Sequence, residues 1–494
     1  MNRNMSQSFP KARKCIPFAI YGLLLTLITL FAFSRIELWR GSRSWESTKA
    51  TLEANGLTVD WAEAIPTPVP DEQNLALARV LTDCYRNTAP NTTVGDWQAE
   101  PIFDEVASEA GQVAQDLYAP HQPSTVEDHF GFPISQTESL EVFGDTHSER
   151  LEELSQVIEP YRAALNELRE ECSIRPESYL PGDYTISSSC PIPNYKIVRP
   201  IAQLLTADAI LALHEGNAAL ALENCHALNR IADLNPQTSF MINVMIKNVV
   251  LRSFIAEVLW YGISQDTFDE DQLREIIDLC QQNDQIQALG RTFDMEMLFS
   301  ISSVQDFNNS PEITSANFGS SGTPLLINGQ LVYNALIHRA LWYLTPAEGW
   351  NFQMSLRYIQ FASKYRSAFD QNQGTIDLHK INQMAEELEA LKTEGSFLDG
   401  LLLIGMPAYQ TVSKVAVDAQ RRIDLIEIAA TLCLSAKQGT EIPVAIASES
   451  EQLPTDPTNG QPYTYETTTH GFVISSTRAG TAKALSITWE PKNP

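Results

Sequence analysis

The stretch from Ile16 to Phe33 is 18 residues long and carries no charge. A helix of that length spans about 27 Å, close to the roughly 30 Å hydrocarbon core of a bilayer. No later stretch is long and apolar enough to do the same; Leu401 to Met406 is far too short. Two readings of the run compete. One is a retained signal anchor. The other is a cleaved signal peptide, with small residues at Ala32 and Ser34 around the cleavage point. The apolar part of a signal peptide normally covers about 7–15 residues, so the length favours the anchor.

The run also divides the charge of the chain. Arg3, Lys11, Arg13 and Lys14 are the only charges before residue 34. The remaining 30 bases face all 61 acids, a net of −31 in a chain whose total is −27. Nucleic-acid binding needs clustered Lys and Arg, so no nucleic-acid partner is expected. Arg35, Arg40, Arg43 and Lys49 follow the run. Four bases on each side leave the positive-inside count tied, and orientation cannot be read from charge.

Seven cysteines are present: Cys15 at the membrane edge, then Cys84, Cys172, Cys190, Cys225, Cys280 and Cys433. An even set of six beyond the membrane run is what an oxidising compartment permits. Cys172 and Cys190 flank a loop rich in Pro, Ser and Gly and form the one specific disulfide candidate. The alternative is six free, mostly buried thiols, because cysteine packs as a small hydrophobe. Without a CxxC there is no thioredoxin-like or zinc-ribbon signal.

Ile36 to Asn55 reads as a stalk helix stopped by Gly56. Pro66, Pro68 and Pro70 then impose an extended linker, and Asp71 is placed to cap a helix from Glu72. From there the periodicity is helical. Thr146 with Glu149 and Thr267 with Glu270 are capping-box patterns. Pro160 should kink the first of these helices. Ile197–His214 and Ala218–Leu234 read as a hairpin turned by Gly216; about ten helices are expected in all. Pro462–Thr468, Gly471–Ser476 and Leu485–Trp489 read as three short strands.

The expected fold class is therefore mainly α: an N-terminal transmembrane helix, a multi-helix domain and a small C-terminal antiparallel β-meander, α+β with segregated parts. The parts are a basic cytoplasmic leader (1–15), an anchor (16–33), a stalk and Pro-rich linker (34–70), a helical domain (71–440) and a β-tail (441–494).

Motifs that would carry chemistry are scarce. His121, Asp128 and His129 are the nearest approach to a metal set, two imidazoles and a carboxylate in a Pro-flanked stretch. Loop His and Asp more often serve turns and caps. Asp370 to Gly374 resembles the start of a calcium loop, but Ile381 stands where the closing Glu belongs, so a helix end with a Gly stop is expected. Acid runs such as Glu386-Glu387-Leu388-Glu389 fit solvated helix faces. GxSxG, GxxxxGK[ST] and GxGxxG are all missing, so no cofactor and no serine nucleophile are implied. Ala209, Gly216 and Ala221 resemble one tetratricopeptide unit, but Pro236 falls three positions late and no second copy follows.

The most specific text is Leu453 to Tyr465 followed by Gly471 to Ser476. It resembles the DPxxGxPxxY…GFxxYS tail of type II secretion pseudopilins. The chain departs from that pattern after Ser476, where Thr477 to Lys483 replace an acidic calcium-binding stretch. It also resembles a group of uncharacterised single-pass bacterial envelope proteins. These share the basic N-terminus, the membrane helix, a PxPxPDxQN entry (Pro66 to Asn74) and a GN..AL hairpin (Gly216 to Leu222). The resemblance implies an outward-facing domain.

Three functions follow as expectations. The first is a non-enzymatic, membrane-anchored extracytoplasmic protein that binds protein partners or organises the envelope. The second is an exported hydrolase, with His121 to His129 as the first place to look. The third is an accessory of a secretion or pilus-like apparatus.

Overall fold

The computed structural model describes residues 10–84, 146–309, 347–441 and 453–489, with short gaps, and strands at 325–327 and 330–332. Side chains are described from residue 21 onward. The chain is mainly helical, with a small antiparallel sheet at its C-terminus.

Helix α1 runs unbroken over Pro10–Ala54. At 1.5 Å per residue its 45 residues extend about 67 Å. The expected anchor and stalk are thus one rod. Its second half does not stand away from the body. Trp45 and Leu52 are buried with Ile301, Leu356 and Ile359. Its main neighbour is the helix Ala347–Arg366.

The Pro-rich segment is likewise stitched in. Short helix α2 (Trp61–Ala64) buries Trp61, whose indole N–H donates to the Tyr184 carbonyl at 2.7 Å. Asp71 caps nothing with its side chain. The residue that does this work is Asn74: its Oδ1 accepts from the amides of Ala76 (3.1 Å) and Tyr179 (2.8 Å), and its amide donates to the Tyr179 carbonyl. Two 3-10 turns precede α3 (Arg79–Cys84). The prolines, having no N–H, kept the chain extended long enough to meet the loop after residue 174 rather than coil at once.

Next come α4 (Thr146–Ile158) and α5 (Arg162–Ile174), separated at Pro160 by a 3-10 turn. Helices α6 (Tyr195–His214) and α7 (Ala218–Ile231) form the expected hairpin. Gly216 takes φ +76°, which a side chain would strain, and Asn217 caps α7 through Leu220 N–H. Helix α8 (Met241–Val250) passes through a π-helical turn at Leu251–Ile255 into α9 (Ala256–Ser264). Helix α10 (Glu270–Gln281) begins two residues later than the Thr267 signal implied. Asp269 and Gln272 make the capping box, while Thr267 closes the previous helix by donating to the Gly262 carbonyl.

Helices α11 (Gln285–Asn309), α12 (Ala347–Arg366), α13 (Leu378–Glu394) and α14 (Pro407–Lys437) complete the body. Helix α14 is the spine. Its first half (Tyr409, Val412, Ala416, Val417) belongs to one core with α11, α12 and α13. Its second half (Ile423, Ile426, Ala430) belongs to another with the α6–α7 hairpin. In chain order the strands are β1 (Leu325–Ile327), β2 (Gln330–Val332), β3 (Phe369–Asp370), β4 (Thr375–Ile376), β5 (Thr464–Thr467), β6 (Phe472–Ser475) and β7 (Ser486–Trp489). Asp370 pairs with Thr375 across the β3–β4 hairpin, where a helix end was expected, and Gly374 takes φ +62°.

The last three strands pair antiparallel as a meander in the order β5-β6-β7, in register Tyr465↔Ile474 and Ile474↔Ile487. The tail is not a separate unit. Tyr463, Phe472 and Ile474 share the core of the hairpin and of α14.

Candidate functional site

Three features merit functional reading. The first is the change of face along α1. Leu25 and Ile28 are 67% and 63% exposed, and Leu24, Leu30, Phe31 and Phe33 are also exposed. One residue beyond Phe33 the helix meets the body: Ser34 and Glu37 are buried. Glu37 accepts from Gln353 Nε2 at 2.8 Å and from Arg40 at 2.7 Å. Two glycines set the crossing. A Cβ on Gly41 would lie 2.6 Å from the Gly349 carbonyl oxygen, and one on Gly349 would lie 2.6 Å from the Leu38 nitrogen. Only hydrogen fits at either position, so the backbones come into contact. The opposite face carries Arg35 over the Phe31 ring and Arg43 over the Trp39 ring. Among the described residues no helix is long and apolar enough to cross a membrane; the side chains of 10–20 lie outside that set.

The second feature is a cavity of about 420 Å³ between α8, α11 and α14. Phe240, Ile242, Met245, Phe299 and Val412 form apolar wall, and Ser187 and Cys190 close one side. Phe240 and Phe299 meet edge to face at 5.3 Å, with Trp61 behind Phe299 at 6.4 Å. Among the described residues, the one charged side chain in this wall is Glu296. Its Oε1 accepts from the Met241 N–H at 2.8 Å. Phe240, at the N-cap of α8, has no side-chain acceptor, so Glu296 does the capping and sits where the helix dipole favours negative charge. Burial pushes the Glu296 carboxyl pKa up, and the Met241 amide holds back part of that rise. Behind it the hydroxyls of Tyr358 and Tyr409 meet at 2.6 Å. Burial raises both phenols, and the Glu296 charge adds to each.

The third feature is a buried polar clamp holding the tail on α14. Arg421 and Asp456 are almost wholly buried, and guanidinium NH2 lies 3.0 and 2.9 Å from the two carboxylate oxygens. Arg421 also donates to the Thr458 hydroxyl at 2.8 Å. Asp456 Oδ1 accepts from the Thr458 amide, and its carbonyl accepts from Gly460 N–H. One turn along α14, Asp424 accepts from the Tyr463 hydroxyl at 2.6 Å and from Gln420 at 2.7 Å. Complete burial pushes the Asp424 carboxyl up to about 8, against the pull of those two donors. The motif residues Asp456 and Tyr463 therefore face inward as an intramolecular lock.

The expected sites fare differently. His121, Asp128 and His129 lie outside the described residues. Among the described residues no group of three or more His, Cys, Asp or Glu is arranged to hold a metal. Cys172 and Cys190 do not pair: both are free, buried thiols. Cys172 faces the hairpin core from α5, whereas Cys190 packs with Trp61, Tyr184 and Phe240 in a different cluster. Loop proximity in sequence was a poor guide because the two ends of the loop enter different cores. Cys225, Cys280 and Cys433 are also free and buried. Nothing in the local sequence sets Glu296 or Asp424 apart from other acids on helices. Arg421 had a faint signal, as a charge inside the apolar pattern running from Val415 to Ala430.

Comparison with known protein families, with curated proteins and with solved structures finds no match to this chain.

Proposed function

We propose that the chain is a membrane-anchored helical protein whose body lies on the extracytoplasmic side and acts by binding rather than by catalysis. The observation that carries the reading is the change of face along α1. Large apolar side chains are left uncovered along the run to Phe33 and, on the face away from the body, at Ile36 and Trp39, while the other face of the same rod is locked to the body from Ser34 onward. An uncovered row of that size needs an apolar partner, and an uncharged run of 18 residues matches the thickness of a bilayer. Because the helix is continuous, the body would be held at a defined height and orientation, not on a flexible tether. The net −31 beyond the run keeps such a body soluble beside the membrane. The outward orientation rests on the envelope-protein resemblance.

The test is fractionation. The full chain should remain in the membrane pellet after alkaline carbonate, and a chain lacking residues 1–33 should not. An alkaline phosphatase fused to the C-terminus should be active in cells. Release of the full chain by carbonate refutes the anchor, and an inactive fusion refutes the orientation.

A further inference from the structure

We propose that the cavity between α8, α11 and α14 is a binding site for a small organic ammonium ion carried on an apolar or aromatic frame. Its volume of about 420 Å³ lies within the range of small-molecule pockets. The wall combines what such a ligand requires. Phe240, Ile242, Met245 and Val412 offer apolar surface, and the thioether of Met245 adapts to irregular shapes. Phe240 and Phe299 present aromatic rings, which attract cations through the negative charge over their faces. Glu296 is the one carboxylate among the described residues that line the cavity, and none of these is an Arg or Lys that would compete for it. Among the described residues the Met241 amide is its single hydrogen-bond donor, which leaves carboxylate lone pairs for a ligand.

The charge pattern also selects against other ligand classes. An anion would meet an acid with no compensating base. A purely apolar molecule would fill the volume but leave the carboxyl without a counter-charge in a desolvated wall. A cation with an apolar body satisfies both halves. Capping α8 does not use Glu296 up, because one oxygen suffices for the Met241 amide.

Cys190 supplies an internal reporter, since its thiol lies in the cavity wall and is otherwise buried. The full-length protein in lipid nanodiscs is treated with monobromobimane, and labelling of Cys190 is followed by peptide mass. The probes are 2-phenylethylamine, 2-phenylethanol and 3-phenylpropionate, which share a frame and differ in head-group charge. The expected result is that 2-phenylethylamine slows labelling most and 3-phenylpropionate least. E296Q should weaken protection by the amine about tenfold, as expected for losing a charge-assisted hydrogen bond, and leave the alcohol unchanged. A408W, at the exposed mouth, should slow labelling without any ligand. Equilibrium dialysis of 2-phenylethylamine against the same particles gives a second readout that does not depend on thiol reactivity: one saturable site is expected, with affinity about tenfold weaker in E296Q variants that keep the wild-type circular dichroism. Equal protection by amine and carboxylate, amine binding that E296Q leaves unchanged, or no saturable amine binding in dialysis overturns the proposal.

Discussion

Asp424 makes the stability of the tail clamp depend on pH in a direction opposite to that of most carboxylates. An unfolded Asp titrates near 3.9. In the fold the group is completely buried between α14 and the tail, and its pKa rises to about 8. Below pH 4 the carboxyl is protonated in both states and contributes no pH dependence. Between about pH 4 and 8 the unfolded chain releases this proton while the folded chain keeps it. The folded state then binds more protons, so stability falls as pH rises through that window. A rise of about four units corresponds to on the order of 5 kcal/mol across the window. D424N replaces the carboxyl with a neutral amide of the same shape. Its carbonyl can still accept from the Tyr463 hydroxyl. Denaturant unfolding of wild type and D424N in the same detergent, from pH 4 to 8, isolates this group because all others cancel in the difference. Wild type should lose several kcal/mol relative to D424N on going from pH 4 to pH 8. A difference that stays constant with pH would show that Asp424 is ionised in the fold and that the argument from burial is wrong.

Other consequences can be tested in the same preparation. R421M strands the Asp456 carboxylate in the interior and should cost about 3–5 kcal/mol, seen as release of the C-terminal peptide in limited proteolysis; R421M/D456N should recover part of the loss. G349L puts a side chain where a Cβ already lies 2.6 Å from the Leu38 nitrogen, so hydrogen exchange at Ser34–Ala54 should rise while carbonate resistance stays; unchanged exchange would refute close backbone packing. Denatured but unreduced protein should take up alkylating reagent at both Cys172 and Cys190, and protection of the two together would restore the disulfide reading. Asn248 is fully buried, next to the π-helical turn, and among the described residues neither of its side-chain amide atoms has a partner. N248L should therefore raise the melting temperature, since an unsatisfied buried amide costs about 1–3 kcal/mol; a lower melting temperature counts against it.

Much of the architecture follows from local sequence, for a physical reason. Helical periodicity and the stop at Gly216 depend on neighbours within one or two turns, and each is realised where the pattern placed it; at Pro160 the expected kink is a full break, with a 3-10 turn between two helices. The three tail strands are bounded by turn residues and pair as a meander, as their order implied. What only the tertiary structure decided depends on distant partners. A mixed-charge helix after the apolar run could have stood free. It is docked because Gly41 and Gly349, more than 300 residues apart, let two backbones meet. Cys172 and Cys190 are 18 positions apart yet belong to different cores. Glu296 was one acid among 61, and the cavity that distinguishes it is assembled from four separate stretches of chain. The tail motif was legible as text, but its purpose was not: Asp456 and Tyr463 acquire one only when Arg421 and Asp424 arrive on one face of α14. The apolar run is the opposite case. Its length and lack of charge are complete in the sequence, and the structure adds where the covered part of that helix begins.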